Sequence, residues 1–151
     1  MGSTKNPKDA VGGEKVPLSL VPGSFKTYTA LGLAEGALKY GRWNFRAAKV
    51  VGSIYLDALE RHIEKYKSGE ERDPVTGVPH LANASASLAI LIDATVQGTL
   101  IDDRPPPQPN LPPLIDVVGH SLIVKLKDLF KSFSPRHWSA KDKEEIANAD
   151  D

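Results

Sequence analysis

Glu35 is the residue in this 151-residue chain whose position most clearly suggests chemistry. At about 100° per residue, Tyr28, Leu31 and Leu38 fall on one face of a predicted helix, and Glu35 lies in the middle of that face. Lys39 is its neighbour one turn later. Because burying a carboxylate is costly unless it is paired or binds a metal, two interpretations stay open: an internal ion pair with Lys39, or a metal ligand.

A basic and aromatic turn follows this helix at once. Gly41 suits the end of the helix, and the residues directly after it supply cations, a large aromatic ring and an amide. These residues are Arg42, Trp43, Asn44 and Arg46. Cations beside a buried acid suit a phosphate-bearing substrate.

Further polar groups come from a second predicted helix, a loop and a third helix. The charged face of the second helix is either solvated or lines a site, and it includes Asp57 and Arg61, with His62 on the apolar side. The loop Ser68–Pro79 supplies Glu70 and Asp73. In the third helix, His80, Asn83 and Ser87 form one polar stripe, which predicts either a polar cavity or a satisfied hydrogen-bond network.

Carboxylates that converge from several helices are a familiar way of holding divalent cations. Hard oxygen ligands favour Mg²⁺ or Mn²⁺. The sequence has no GxxxxGK[ST] phosphate loop, no G-x-S-x-G elbow and no HExxH motif. The residues by themselves therefore suggest a metal-dependent phosphohydrolase.

The elements that position these groups are predicted to be all-α. We expect an N-terminal extended segment at 1–24 and a helical catalytic core at 25–103, followed by a semi-rigid proline-rich linker at 104–113 and a C-terminal helix with an acidic tail at 114–151. Within these segments the pattern predicts helices at about 25–40, 49–67, 80–98 and 114–132, with Ser24 as the first N-cap and a short tail helix from Ser139.

Composition excludes several classes of function. Lys+Arg and Asp+Glu are both 19, so no net field draws the chain to nucleic acid, and the absence of Cys excludes disulfide and thiolate chemistry. The polar N-terminus is not a secretory signal, and the apolar run near Leu88–Ile92 is too short to span a membrane. We expect a protein of the bacterial or phage-infected host cytoplasm that self-associates through its apolar helices as a dimer or tetramer.

The chain resembles the dATP/dGTP diphosphohydrolase family of phages, the MazZ-like branch of the all-α MazG-type nucleoside triphosphate pyrophosphohydrolases. The resemblance covers about Lys8–Asp93 in three stretches: KDAVGGEKVPLSLVP, EGALKYGRWNFR and YLDALERHIEKYKSGEERDPVTGVPHLANASASLAILIDA. It implies a MazG-like bundle that cleaves dGTP or dATP between the α- and β-phosphates with Mg²⁺ or Mn²⁺. It also implies that the dGMP formed can supply synthesis of 2-aminoadenine phage DNA.

The sequence departs from the metal motifs of the wider superfamily, which are E-x-x-E on one helix and E-x-x-D on another. Glu35 matches an acid of the first motif, but Leu38 stands where the second acid is expected. His80 and Asn83 stand roughly where E-x-x-D would be. Other acids must therefore replace the missing ones.

The residues and the resemblance together give a site assignment. Predicted catalytic residues are Glu35 and Asp57; predicted metal ligands are Glu35, Asp57, Glu70, Asp73 and His80; predicted substrate contacts are Lys39, Arg42, Trp43, Asn44, Arg46, Arg61, His62 and Asn83. Trp43 either stacks on the purine, with Asn44 at the edge of the base, or plugs the core beneath the turn. The alternative function is a non-catalytic helical oligomeric interaction module that docks through its C-terminal helix.

Overall fold

The computed structural model describes residues 6–142, most of which are helical, and this confirms the predicted all-α class. Two two-residue strands also pair in parallel. The helices are α1 (Pro7–Gly12), α2 (Gly23–Tyr40), α3 (Asn44–Ala47), α4 (Gly52–Lys67), α5 (His80–Gln97), α6 (Leu111–Pro113) and α7 (His120–Leu129), and the strands are β1 (Val50–Val51) and β2 (Leu100–Ile101). No helix within residues 6–142 has the length and apolar content needed to cross a bilayer.

The chain divides into two compact units between Asp103 and Arg104. In the first unit α5 lies in the middle and packs against both α2 and α4, whereas α2 and α4 contact each other little. The first unit is therefore built on three helices with α5 at their centre.

A very close contact joins α2 to α5 at Gly32. A Cβ atom placed on Gly32 would lie 2.5 Å from the carbonyl oxygen of Ala82 and 2.8 Å from the Cβ of Ala86. The buried residues of α5 are small apart from the first, and they are His80, Ala82, Ala84, Ala86 and Ala94. Small residues on both helices let the two backbones approach each other.

The prediction that α2 buries its leucine face is wrong. Leu31 is 45% exposed and Leu38 is 90% exposed, while Gly32 is buried. The physical reason is that glycine allows the closest approach of α5, so α2 turns its small-residue face inward. Glu35 is consequently not surrounded by leucines but lies beside the polar stripe of α5.

Two helix starts differ from the predicted ones. The first long helix begins at Gly23, directly after Pro22 at its N-cap, and Ser24 lies within its first turn. Proline opposes helix at the residue before it, so the helix cannot begin earlier than Pro22. The next long helix begins at Gly52 rather than near 49, because Val50 pairs with Leu100 and Val51 with Ile101.

The segment predicted to be extended at 1–24 contains helical turns within its described part. Besides α1 it has a 3₁₀ turn at Leu18–Leu20. The Asn6 side chain accepts a hydrogen bond of 3.0 Å from the Lys8 amide, and Pro7 occupies the first helical position. An Asn cap followed by proline favours helix initiation, which explains the difference.

The second unit contains one continuous helical run, at Leu111–Leu129, close to the helix predicted at about 114–132. Its type changes along the run, because a π-helical stretch at Leu114–Gly119 lies between α6, which starts at Leu111, and α7, which ends at Leu129. The prolines of this segment lie in its first turn, where a missing amide donor is tolerated. Of the predicted tail helix, a 3₁₀ turn at Ala140–Asp142 is seen, and 143–151 lies outside the described residues.

Candidate active site

Glu35 projects from the middle of α2 toward the first turn of α5. Its side chain is 15% exposed and accepts hydrogen bonds from the Lys39 ammonium and from Asn83 Nδ2, the latter at 3.0 Å. The Lys39 contact follows from the i,i+4 spacing on one helix. The Asn83 contact requires the close packing of α2 and α5.

Glu35 is held in its ionised form by these partners. Partial burial acts most strongly on this carboxyl group and would raise its pKa. The hydrogen bonds from Lys39 and Asn83 together outweigh burial, so the pKa of Glu35 lies below its ordinary value. The site therefore presents a carboxylate that stays charged at neutral pH.

A chain of hydrogen bonds links α4, α5 and the loop between them. His62 Nδ1 lies 3.0 Å from His80 Nδ1, and His80 Nε2 lies 2.7 Å from Glu70 Oε1. His80 is fully buried, and both of its ring nitrogens are engaged. In this arrangement His80 has no nitrogen free for a metal, and it positions Glu70 and His62 instead.

The pKa values of Glu70 and His62, the two outer residues of this hydrogen-bond chain, are both lowered. The hydrogen bond from His80 lowers the pKa of Glu70, and burial followed by the neighbouring His80 lowers the pKa of His62. Lys65 also lies 3.6 Å from Glu70 and was missed from the sequence. Its signal was its position three residues after His62, on nearly the same helical face.

Asp73 is a second ordered carboxylate near Glu35. Its Oδ1 accepts hydrogen bonds from the backbone amides of Thr76 at 2.8 Å and Val75 at 3.0 Å. These two hydrogen bonds lower the pKa of Asp73. The charge of Asp73 in turn acts to raise the pKa of Glu35, more weakly than burial does.

The five predicted metal ligands do not form one cluster. Asp57 is exposed on α4 and makes no hydrogen bond or ion pair within the described part of the chain. No group of three His, Asp or Glu residues with metal-binding spacing occurs among residues 6–142. Mg²⁺, however, is commonly held by one or two carboxylates together with water and substrate phosphates. Glu35 and Asp73, whose pKa values are both lowered, are ionised carboxylates available for that smaller requirement.

The predicted cations fall into two groups. Lys39 is paired with Glu35, and Arg46 is paired with Asp93. Arg42 and Arg61 are exposed and form no ion pair within residues 6–142. Arg42 and Arg61 are therefore available to bind a negatively charged ligand.

Trp43 and Asn44 line a pocket of about 290 Å³ between the turn and the helices. Its walls are mainly apolar and include Leu33, Ala37 and Ile90. Trp43 is 56% exposed, so the interpretation of this residue as a plug in the core is wrong. An apolar pocket with an aromatic wall and a few polar groups is typical of small-molecule sites.

The fold and this cluster define an all-α protein in which acidic, imidazole and cationic groups meet between helices. The chain belongs to the dATP/dGTP diphosphohydrolase family, because the family's sequence model, described as dATP/dGTP diphosphohydrolase, N-terminal, matches residues 5–104. A protein of Salmonella phage PMBT28 named dATP/dGTP diphosphohydrolase is 34% identical over 90 residues, which cover 60% of this chain and 30% of that protein. The chain thus spans less than a third of this relative's length in the alignment. No solved structure matches the chain.

Proposed function

We propose that this protein is a Mg²⁺- or Mn²⁺-dependent pyrophosphohydrolase that converts dGTP, dATP or both to the monophosphate and pyrophosphate. The observation that carries the proposal is the family match over residues 5–104, which includes the whole Glu35–Asn83 cluster. The named relative comes from a phage. We further propose that the dGMP formed in the host cytoplasm supplies synthesis of 2-aminoadenine phage DNA.

In the proposed reaction the oxygen of water bonds to phosphorus and the bond between the α- and β-phosphates breaks. Pyrophosphate leaves with the bonding electrons, and a proton passes to a nearby base. A divalent ion bound at this site would neutralise phosphate charge and acidify water. Glu35 and Asp73, both ionised, are the residues proposed to hold that ion.

The remaining cations serve the triphosphate in this proposal. Arg42 and Arg61 are exposed and supply planar donors for phosphate oxygens. Lys39 brings a further positive charge to the Glu35 carboxylate. Fixed cations near phosphate stabilise negative charge that develops on the leaving group.

The base is proposed to occupy the pocket beside Trp43 and Asn44. A π-face suits stacking on a purine, and the Asn44 amide has both donors and an acceptor for the edge of the base. The pocket and the Glu35 cluster both include residues of α2 and α5.

The activity is tested by measuring pyrophosphate release from all eight ribo- and deoxynucleoside triphosphates, with Mg²⁺, with Mn²⁺ and after EDTA treatment. We expect release from dGTP or dATP, lost on chelation and restored by either ion. Release from none of the eight substrates would contradict the proposal and favour the alternative, a non-catalytic interaction module.

We also propose that the protein is a homo-oligomer, a dimer or tetramer. Within the first unit α2 and α4 each pack mainly against α5 and contact each other little. Large apolar side chains of these helices stay exposed in the described residues, among them Leu38 at 90% and Ile92 at 56%. We expect light scattering at micromolar concentration to give at least twice the 16.3 kDa chain mass, and a monomer would contradict this proposal.

A further inference from the structure

Arg46 and Asp93 form a two-pronged ion pair between α3 and α5. Arg46 Nε donates to Asp93 Oδ2 at 3.0 Å, and Arg46 Nη2 donates to Oδ1 at 2.8 Å. A bidentate pair fixes the plane of the guanidinium as well as its position. The same hydrogen bonds lower the pKa of Asp93, so its carboxylate stays charged at neutral pH.

The guanidinium held by Asp93 lies over the indole of Trp43. The Arg46 guanidinium carbon is 5.0 Å from the centre of the Trp43 ring, within the range of a cation–π contact. Phe45 approaches the same ring with a centroid distance of 5.8 Å. One side of the indole is thus occupied by a fixed cation.

The backbone of Trp43 is also unusual. Trp43 has φ 64° and is the one non-glycine residue with positive φ among residues 6–142. A bulky residue is uncommon in the left-handed region and persists there only where its surroundings determine it. The Arg46–Asp93 pair is the contact that anchors the Trp43 turn to α5 by charge.

We propose that Asp93 and Arg46 are positioning residues for base recognition: Asp93 holds Arg46 against one face of Trp43 and leaves the other face as a fixed stacking surface for the base. The inference rests on the proposed function for its ligand, a deoxypurine nucleotide. It replaces the predicted direct substrate contact of Arg46, two of whose donors are directed to Asp93. A ring that is ordered in advance loses less freedom when the ligand binds, which strengthens binding.

The chain has two tryptophans, Trp43 and Trp138. The test uses the full chain with Trp138→Phe, so that Trp43 is the remaining tryptophan and the fluorescence reports on it alone. Arg46→Met removes the cation but keeps the side-chain length, Arg46→Lys keeps the cation without the fork, and Asp93→Asn releases the guanidinium. Trp43→Ala is made in the wild-type chain, and its KM for the triphosphate shows the effect of losing the stacking surface completely. The Lys67–Glu64 pair, 2.8 Å apart on α4, supplies the matched control Glu64→Gln.

Tryptophan fluorescence reports binding of deoxyguanosine and deoxyadenosine, which carry no phosphate, and calorimetry reports binding of inorganic pyrophosphate with Mn²⁺. We expect Arg46→Met and Asp93→Asn to weaken nucleoside binding about two- to fivefold, as for loss of an exposed cation–π contact, and Arg46→Lys to weaken it less. KM for the triphosphate should rise by a similar factor in Arg46→Met and Asp93→Asn, and by at least that factor in Trp43→Ala. In all three variants kcat and pyrophosphate binding should be retained.

Equal weakening of pyrophosphate and nucleoside by Arg46→Met would overturn the inference in favour of a phosphate contact. A lower melting temperature in Asp93→Asn with unchanged nucleoside affinity would also overturn it, because the pair would then be structural only. Nucleoside binding needs no turnover. A wild-type protein that binds nucleoside at Trp43 but releases no pyrophosphate would therefore refute the proposed activity and leave the positioning role standing.

Discussion

The Glu35→Gln variant is expected to lose at least about a hundredfold in kcat/KM for its triphosphate, the scale found when one preorganised electrostatic group is removed from an active site. Glutamine is nearly isosteric and can still accept the hydrogen bond of Asn83, but it cannot carry the charge proposed to hold a divalent ion. Pyrophosphate release measures the first effect. Calorimetry with Mn²⁺ alone measures the second, and we expect weaker binding.

The stability of Glu35→Gln separates this role from a purely structural one. An i,i+4 pair on a helix contributes roughly 0.3–0.5 kcal/mol, so the free energy of unfolding should change little. Glu64→Gln removes a comparable glutamate from the Lys67 pair on α4 and serves as the control. Normal turnover and normal Mn²⁺ affinity in folded Glu35→Gln would show that Glu35 has only a structural role, toward Lys39 and Asn83.

The largest loss of stability is expected from Gly32→Ala. The added methyl group would lie 2.5 Å from the Ala82 carbonyl oxygen, so α2 and α5 must separate. Overpacking of a tight contact costs about 1–3 kcal/mol, and we expect a loss in this range in the free energy of unfolding. Chemical denaturation followed by circular dichroism measures it.

Gly36→Ala is the matched control, because it adds the same methyl group one turn later on the same helix. A Cβ at Gly36 has no atom within 4 Å, so this variant should be as stable as the wild type or slightly more stable, since alanine favours helix. Equal stability of the two variants would show that the helices are not in such close contact. If the helices do separate in Gly32→Ala, the Glu35–Asn83 bond should weaken and turnover should fall as well.

The sequence by itself determined the helical elements and the local pairs. A periodicity of 3.6 residues identified the three long helices, and α5 begins and ends close to the predicted residues, at His80 and Gln97. The Glu35–Lys39 pair follows from i,i+4 spacing, and two members of the predicted polar stripe of His80, Asn83 and Ser87, namely His80 and Asn83, do face polar partners. These features depend on neighbours within one or two turns, which the sequence specifies directly.

Only the tertiary structure decided which surfaces and side chains meet. Periodicity gives the angle of a residue around its helix but not the identity of the helix opposite, so it could not show that Gly32, rather than the leucines, faces α5. The Arg46–Asp93 pair joins residues 47 apart, and the contact between His62 and His80 spans 18. Such contacts depend on how closely and at what angle whole helices pack, and that is fixed by small residues distributed along both partners.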